Sequence, residues 1–358
     1  MAPPSLLDVP HLDEWAPQWD QLVDSSPLPS PFLRSWWLAG TSGSGGHFLL
    51  VVDDARLLGG LALEERRRKS SLRVMGDGSL CPDHLDLLAA PGHEAEVVRV
   101  IGDWLCRPGG RLFDLRGIRA GSLLIEALPG RVRRELMAVA PFAPLPDSAE
   151  AYRATLPSQF RRNLRKSAGR LEAEGVRHRT ILGPGVLGCL DTLRELHQSQ
   201  WGSRSGFLPV FDHFAAACVG GTAAGEVAVH ELATDNLVVA TVIAFEVAGR
   251  VSLYQSARII TDPPWRDVTT ALIAAIIDDA CARGFTEVDF LRGDETYKGR
   301  FTTRHREMFR LVAGTGVVGR LGYLTKAATF RATQTAVRCL RFGRSTVTRW
   351  RASRSSIG

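Results

Sequence analysis

The chain carries the same ending twice. "WLCRPGGRLFDLRG" (104–117) and "DACARGFTEVDFLRG" (279–293) both run from a helix through Cys, Arg and Gly into a strand that closes on Leu-Arg-Gly. Each copy follows a run of β-strands and then one amphipathic helix, so two copies of a single α/β unit account for both. A chain of 358 residues has room for two such domains. The proline-rich stretch "APFAPLPDS" (140–148) separates two charged, periodic regions. The expected organisation is an N-terminal domain over 1–145, a second over 146–319 and a basic tail over 320–358.

In the first copy, periodicity places strands near 47–53, 57–64, 72–75, 84–89 and 111–115, with a helix over 92–107. The second copy opens on a basic helix over 158–174, followed by a strand near 176–181 and helices near 186–200 and 210–218. "EVAVHELA", "LVVATVIAFEVA" and "RVSLYQSA" are then β-rich runs joined by short turns, which favours antiparallel hairpins. Val268, Ala271, Leu272, Ala275 and Ile276 mark one face of a helix over 267–283, which Asp267 or Thr269 can cap and Gly284 can stop. A crossover helix returns the chain parallel to a neighbouring strand, so 286–291 should lie beside 250–257. The fold class expected is α/β with a mixed sheet.

Composition narrows the partners. The net charge of +6 is carried by the tail: from Arg320 onward there are nine Arg or Lys and no Asp or Glu, and the first 319 residues sum to −3. The tail suits a peripheral contact with an anionic membrane surface or nucleic acid, or a disordered extension. Six widely spaced cysteines, with no C-x-x-C pair, are neither a metal ladder nor a disulfide framework. Reduced thiols, a cytoplasmic location and no metal are expected, since His213, His230 and His305 lack ligand spacing. Neither export nor membrane spanning is expected. "GPGVLG" (183–188) is not a dinucleotide fingerprint, and no phosphate-loop or serine-hydrolase motif occurs.

Where a strand feeds a crossover helix, the free N–H groups at the helix start point toward the carboxyl edge of the sheet and can hold phosphate. If the parallel pair splays beyond that point, unpaired strand backbone can bind an extended amide-bearing arm. At this point the residues carry a resemblance. "YQSARIITDPPWRDVTTALIAAIIDDACARGFTEVDFLRGDETYKGRF" resembles the C-terminal block of CelD-type acetyltransferases, GNAT-superfamily proteins associated with cellulose biosynthesis that are related to the tandem-GNAT Fem aminoacyltransferases. The D-F-L-R-G-D-E-x-Y-K signature stands here in full at Asp289 to Lys298. Looser matches are "PFLRSWWL" (31–38), "PDHLDLL" (82–88), "SQFRRNLRKSAGRLEAEG" (158–175) and "LHQSQWGSRSG" (196–206). The resemblance implies two tandem GNAT-like domains and an acyltransferase that uses acyl-CoA, such as acetyl-CoA, as co-substrate.

It also implies site residues. Gln255 and Ser256 on the splayed strand, Thr269 and Thr270 at the helix start, and Arg258 and Arg266 flanking the loop are the expected donor contacts. The family's small-residue turn with a glycine is replaced by Asp267, Val268 and Thr269, which crowds and repels a phosphate. Tyr254 either protonates a leaving thiolate or packs in the core. Asp294 and Glu295 supply a general base for an amine or merely cap a helix start. Arg292 is an anion clamp or an ion-pair partner of those acids, with Tyr297 and Lys298 facing substrate or a neighbour. Arg161 and Arg165 share one stripe of the basic helix, which is a seat for an acidic substrate or a solvated face.

The expected function is transfer of an acyl group from acyl-CoA to an amine on a small molecule or a glycan-linked acceptor, in an envelope-polysaccharide or natural-product setting. DNA is not an expected partner. The alternatives are a Fem-like transferase fed by aminoacyl-tRNA and a non-catalytic scaffold of a polysaccharide-synthesis complex.

Overall fold

The computed structural model describes residues 3–41, 45–66, 71–76, 80–107, 109–260, 267–293, 295–317 and 319–326. Arg266, Asp294 and the tail beyond Lys326 lie outside these residues. The strands are β1 (Ser5–Val9), β2 (Gly46–Asp53), β3 (Arg56–Arg66), β4 (Ser71–Val74), β5 (Leu88–Ala89), β6 (Leu112–Arg119), β7 (Arg133–Pro144), β8 (Arg177–Ile181), β9 (Val227–Ala233), β10 (Val238–Val247), β11 (Arg250–Arg258), β12 (Glu287–Asp289) and β13 (His305–Gly314). The helices are α1 (Ala16–Ser25), α2 (Ser35–Thr41), α3 (Glu94–Leu105), α4 (Leu124–Ala127), α5 (Ala149–Thr155), α6 (Ser158–Ala173), α7 (Gly185–Gly188), α8 (Leu190–Trp201), α9 (Phe211–Ala223) and α10 (Val268–Ala282).

The strands form one mixed sheet in the order β1-β2-β3-β4-β6-β13-β7-β12-β11-β10-β9-β8, with β5 paired to β3. Two parallel pairs sit within it. β4 runs beside β6 with α3 between them in sequence, and β11 runs beside β12 with α10 between them. The duplicated unit is thus visible in the sheet, and each unit's closing strand crosses to the other. β7, which follows the first unit, pairs with β12 of the second, while β13, which follows the second, pairs with β6 of the first. β7 and β13 also pair with each other, which fuses the halves into one sheet.

Apolar residues on the two faces build two cores. One gathers the first half together with α8, α9 and Tyr254, around Trp19, Trp37, Phe32 and Phe245. The other buries Leu272, Ile273, Ile276 and Ile277 of α10 against Val239, Val242 and Val251. Of the apolar face expected of that helix, Val268, Leu272 and Ile276 are buried, but the buried face turns toward Ile273 and Ile277 and leaves Ala271 and Ala275 only partly covered. The halves are joined further by α2 and α9, where Gly40 and Gly220 allow close backbone approach, and by Arg34, which meets Glu226 at 2.5 Å.

Three expectations about elements change. The strand expected over 286–291 ends at Asp289, because Leu291 takes a left-handed φ of +54° that no strand tolerates. The strand expected over 84–89 survives as Leu88–Ala89 and an isolated bridge at Leu85, since Asp83, His84 and Asp86 are buried there with specific partners. β1, β7 and β13 have no counterpart in the sequence reading.

Candidate active site at the splayed strands

β11 and β12 pair for only three residues: Arg250 with Glu287, Val251 with Val288 and Ser252 with Asp289. β11 continues to Arg258 while β12 stops, so Leu253 to Arg258 have no parallel partner on that side among the described residues. A bulge in the pairing of β10 with β11 leaves Tyr254 as the extra residue between Leu253 and Gln255, which increases local bending. The first half lacks such an opening. There the chain from Leu80 to Ala89 fills the space beyond β4: Leu85 N donates to Gly117 O at 2.8 Å, and Arg119 N donates to Leu85 O at 3.2 Å.

The residues of the signature build the junction that holds the second pair apart. Asp289 is fully buried and accepts from Leu291 N at 2.8 Å, which fixes the left-handed turn. It also accepts from Arg250 Nη2 at 2.8 Å through Oδ2, and His84 Nε2 lies 2.9 Å from that same oxygen. Burial pushes the Asp289 carboxyl up, but His84, Arg250 and the Leu291 N–H hold it down at about 2. Lys298, itself buried, donates to Arg292 O at 2.8 Å and to Leu291 O at 3.4 Å, and pairs with Glu295 at 2.8 Å. Gly293 sits at φ +123° with the Glu295 carboxylate where a Cβ would stand, so glycine is required there.

The same segment of the first half that plugs its own opening walls the second one. Arg292 donates from N at 2.7 Å and from Nε at 2.5 Å to Asp83, and from Nη2 to Pro82 O at 2.5 Å. The carboxylate that Arg292 meets is thus Asp83, while Glu295 meets Lys298. Burial pushes the Asp83 carboxyl up against the pull of Arg292. Tyr254 donates to Leu80 O at 2.6 Å, and burial raises its phenol well above the ordinary tyrosine value. Phe245 stacks on the Tyr254 ring, and Phe32, Trp37, Phe207 and Phe214 pack around it. Tyr254→Phe should keep that packing yet strand a buried carbonyl, lowering stability by about 1–2 kcal/mol in urea denaturation. A turnover loss well beyond the unfolded fraction would show that the phenol also acts on the leaving group.

The opening leads into three connected cavities. The first, about 360 Å³, lies in the splay and is lined by Cys81, Asp83, His197, Tyr254, Gln255, Arg292 and Lys298 among others. The second, about 410 Å³, lies at the start of α10, lined by Arg258, Asp267, Thr269 and Thr270. Trp201, Ser256, Thr269, Glu295 and Tyr297 belong to both. Burial raises the Tyr297 phenol to about 12. The third, about 250 Å³, shares Asp267 and Thr270 with the second and adds Asn163, Lys166, Ser167, Arg170 and Arg300.

The expected donor residues Gln255, Ser256, Arg258, Thr269 and Thr270 therefore come together. Arg161 and Arg165 line none of the three cavities; Arg161 instead donates to Ala154 O at 3.0 Å and Leu156 O at 2.9 Å, closing the end of α5. The face of α6 that reaches the site is Asn163, Lys166, Ser167 and Arg170, a stripe at i, i+3, i+4 and i+7. Sequence reasoning also passed over Asp83, His84 and His197, although "PDHLDLL" and "LHQSQWGSRSG" contain them; for Asp83 and His84 a buried pairing across more than 100 positions leaves no local signal.

A parallel strand pair joined through a crossover helix occurs in both halves, and only in the second do the strands part over the helix. Residues 158–299 match the family model described as the acetyltransferase (GNAT) domain. No curated protein sequence matches the chain. Among solved structures, FemX is similar with a TM-score of 0.61 at 10% identity, covering 86% of this chain and 96% of that one. A C-terminal domain (DUF2156) ascribed to a lysylphosphatidylglycerol synthetase of Agrobacterium fabrum gives a TM-score of 0.60 at 11% identity, over 87% and 95% of the two chains. L-PGS from Bacillus licheniformis gives 0.58 at 12%, over 88% and 95%. These likenesses show the fold. The domain match supports an acyltransferase in general terms. No helix among the described residues is long and apolar enough to cross a membrane.

Proposed function

We propose that the protein is an N-acyltransferase that takes its acyl group from acyl-CoA lying in the splay between β11 and β12. The observation that carries this is the unpaired edge of β11 beyond Ser252, opening onto the start of α10. The amides of a pantetheine arm pair with that edge as a missing strand would. The pyrophosphate lies against the N–H groups of Val268 to Thr270, which have no side-chain cap. Arg258 supplies a countercharge, and Lys166, Arg170 and Arg300 in the third cavity suit a terminal phosphate.

The amine acceptor enters from the α8 side. Its nitrogen attacks the thioester carbonyl, a C–N bond forms, the C–S bond breaks, Glu295 takes the amine proton, and the thiolate leaves and is protonated. Positioning the two reactants supplies much of the rate, on the order of 7–11 kcal/mol when alignment is good. In this reading 146–319 holds the donor, 1–145 walls the acceptor side, and the basic 320–358 tail touches an anionic surface. The CelD-type resemblance favours a glycan-linked acceptor over a free small molecule. Calorimetric titration with acetyl-CoA, dephospho-CoA and desulfo-CoA tests the proposal: binding is expected to weaken without the terminal phosphate, and no heat with any CoA species overturns it.

Asp267 is the feature that sits least well with CoA. It begins α10 in a left-handed conformation, φ +65°, with its carboxylate group on a residue shared by the phosphate cavities. Asp267→Gly removes both a like charge and a conformation costly for a side chain, so acetyl-CoA affinity should rise by about 5- to 30-fold, equivalent to about 1–2 kcal/mol. Unchanged or weaker affinity in that titration would show that no phosphate lies there. The same carboxylate favours a second reading in which an aminoacyl-tRNA ester is the donor and the exposed arginines of α6 meet its backbone. RNA that copurifies and is released by salt would support it.

A further inference from the structure

His197 is only 6% exposed, yet its ring lines the splay cavity. Its Nδ1 lies 3.3 Å from Ser205 Oγ. That hydroxyl oxygen already accepts from Phe207 N at 3.2 Å and from Leu208 N at 3.1 Å. With both lone pairs engaged, the hydroxyl has only its proton left to offer. Nδ1 therefore accepts, and the ring proton resides on Nε2. Burial lowers the pKa of the ring, outweighing the opposing effect of its own backbone carbonyl, so the imidazole is neutral at pH 7. Phe207 packs against one side of the ring at 5.2 Å and Trp201 at 6.5 Å. The Nε2 edge has no hydrogen-bond partner among the described residues.

A neutral imidazole with Nδ1 engaged is not a base toward the cavity; its Nε2–H is a donor on a residue that lines the cavity, and an oxygen of a bound reactant can take that bond. Which reactant brings the oxygen follows from the layers. His197 lies on the side of the sheet with Tyr254, Phe207 and Phe214, whereas α10 and the phosphate seat belong to the other core. Trp201, half-exposed one turn along α8, stands at the entrance beside Glu295. The geometry points to His197 as the donor that fixes an oxygen borne by the acceptor, so that the favoured acceptors are amines with a hydroxyl or carbonyl oxygen close to nitrogen. This rests on the acyltransferase reading of the site.

Two arms test it on the full chain. With ¹⁵N-histidine labelling, the His197 resonances, assigned by their loss in His197→Gln, should show an Nε2-protonated neutral ring at pH 7, and Ser205→Ala should release the tautomer. A charged ring or an Nδ1–H tautomer overturns the proposal. In the second arm acetyl-CoA is offered with ethanolamine or propylamine, which differ by a hydroxyl against a methyl group. Wild type and His197→Gln should favour ethanolamine by about 10- to 100-fold in kcat/KM, and His197→Leu should lose that preference. Equal use of the two amines by wild type, or an equal drop with both in His197→Leu, overturns it. Absence of transfer to either amine counts against the acyltransferase reading; ethanolamine must then still shift the Nε2 resonance where propylamine does not, or the donor role falls as well.

Discussion

Asp289→Asn is expected to destabilise the protein by about 3–5 kcal/mol, the largest stability effect of any substitution at this site. The carboxylate is fully buried between Arg250 and His84 and accepts the Leu291 N–H, with Arg306 at 3.6 Å. An amide of the same shape accepts at one oxygen only and carries no charge, so Arg250 keeps only Glu287 and the Pro29 carbonyl and His84 faces an amide. The cost is the stranded charge rather than the net value of the ion pairs. Because the folded carboxyl is held at about 2, below its ordinary value near 3.8, it adds stability that is fully present above about pH 4 and lost as pH falls toward 2. The Asn variant should lose that part of its acid sensitivity. Urea midpoints across pH 2–7 measure both effects. A midpoint equal to wild type at pH 7 would show that this cluster does not hold the junction. Loss of the Leu291 clamp should also let the splay relax, so CoA binding in the remaining folded protein should weaken with it.

What the sequence disclosed, and what it hid, follows from the range of the forces involved. The helix at 268–282 and the three-stranded meander are written in local periodicity, and so was the parallel return of the chain at Glu287. The repeat of Leu-Arg-Gly is real as sequence but resolves into two conformations. Leu115 stays in β6, whereas Leu291 leaves the sheet under the hold of Asp289 and Lys298. The difference is partly local, since Asp289 stands two positions before Leu291 where Phe113 stands before Leu115, and partly long-range, since His84, Asp83 and Leu80 of the other half hold the second arrangement. β7 and β13 escaped for a related reason. "APFAPLPDS" reads as a boundary on its prolines, and only β12 and β13 on either side show that Arg133–Pro144, which runs into it, is a strand. That Gln255, Ser256, Arg258, Thr269 and Thr270 come together was legible because they sit at the ends of strongly patterned elements. His197 was not, since its meaning depends on a hydroxyl eight positions away whose two other bonds fix the direction of the third.

Glu295→Gln is expected to lower kcat for amine acetylation by about 100- to 1,000-fold, within the range that general-base catalysis contributes. Glu295 lies where the donor and splay cavities meet, and its side chain is 55% exposed, so an incoming ammonium can reach it. Its bond to Lys298 is the competing demand. Lys298 is buried but keeps two carbonyl acceptors when the acid is replaced, and the introduced amide still offers it an oxygen, so the variant should fold. Loss of rate in a folded variant therefore isolates chemistry from structure. The amide cannot take a proton, so the loss should fall on kcat, while acetyl-CoA binding, assigned to β11 and α10, should change little. Asp294→Asn is the control that separates two adjacent acids of one signature. If Asp294→Asn is the inactive variant and Glu295→Gln turns over at nearly the wild-type rate, the base is reassigned; if both are active, the amine arrives already neutral and positioning alone carries the reaction.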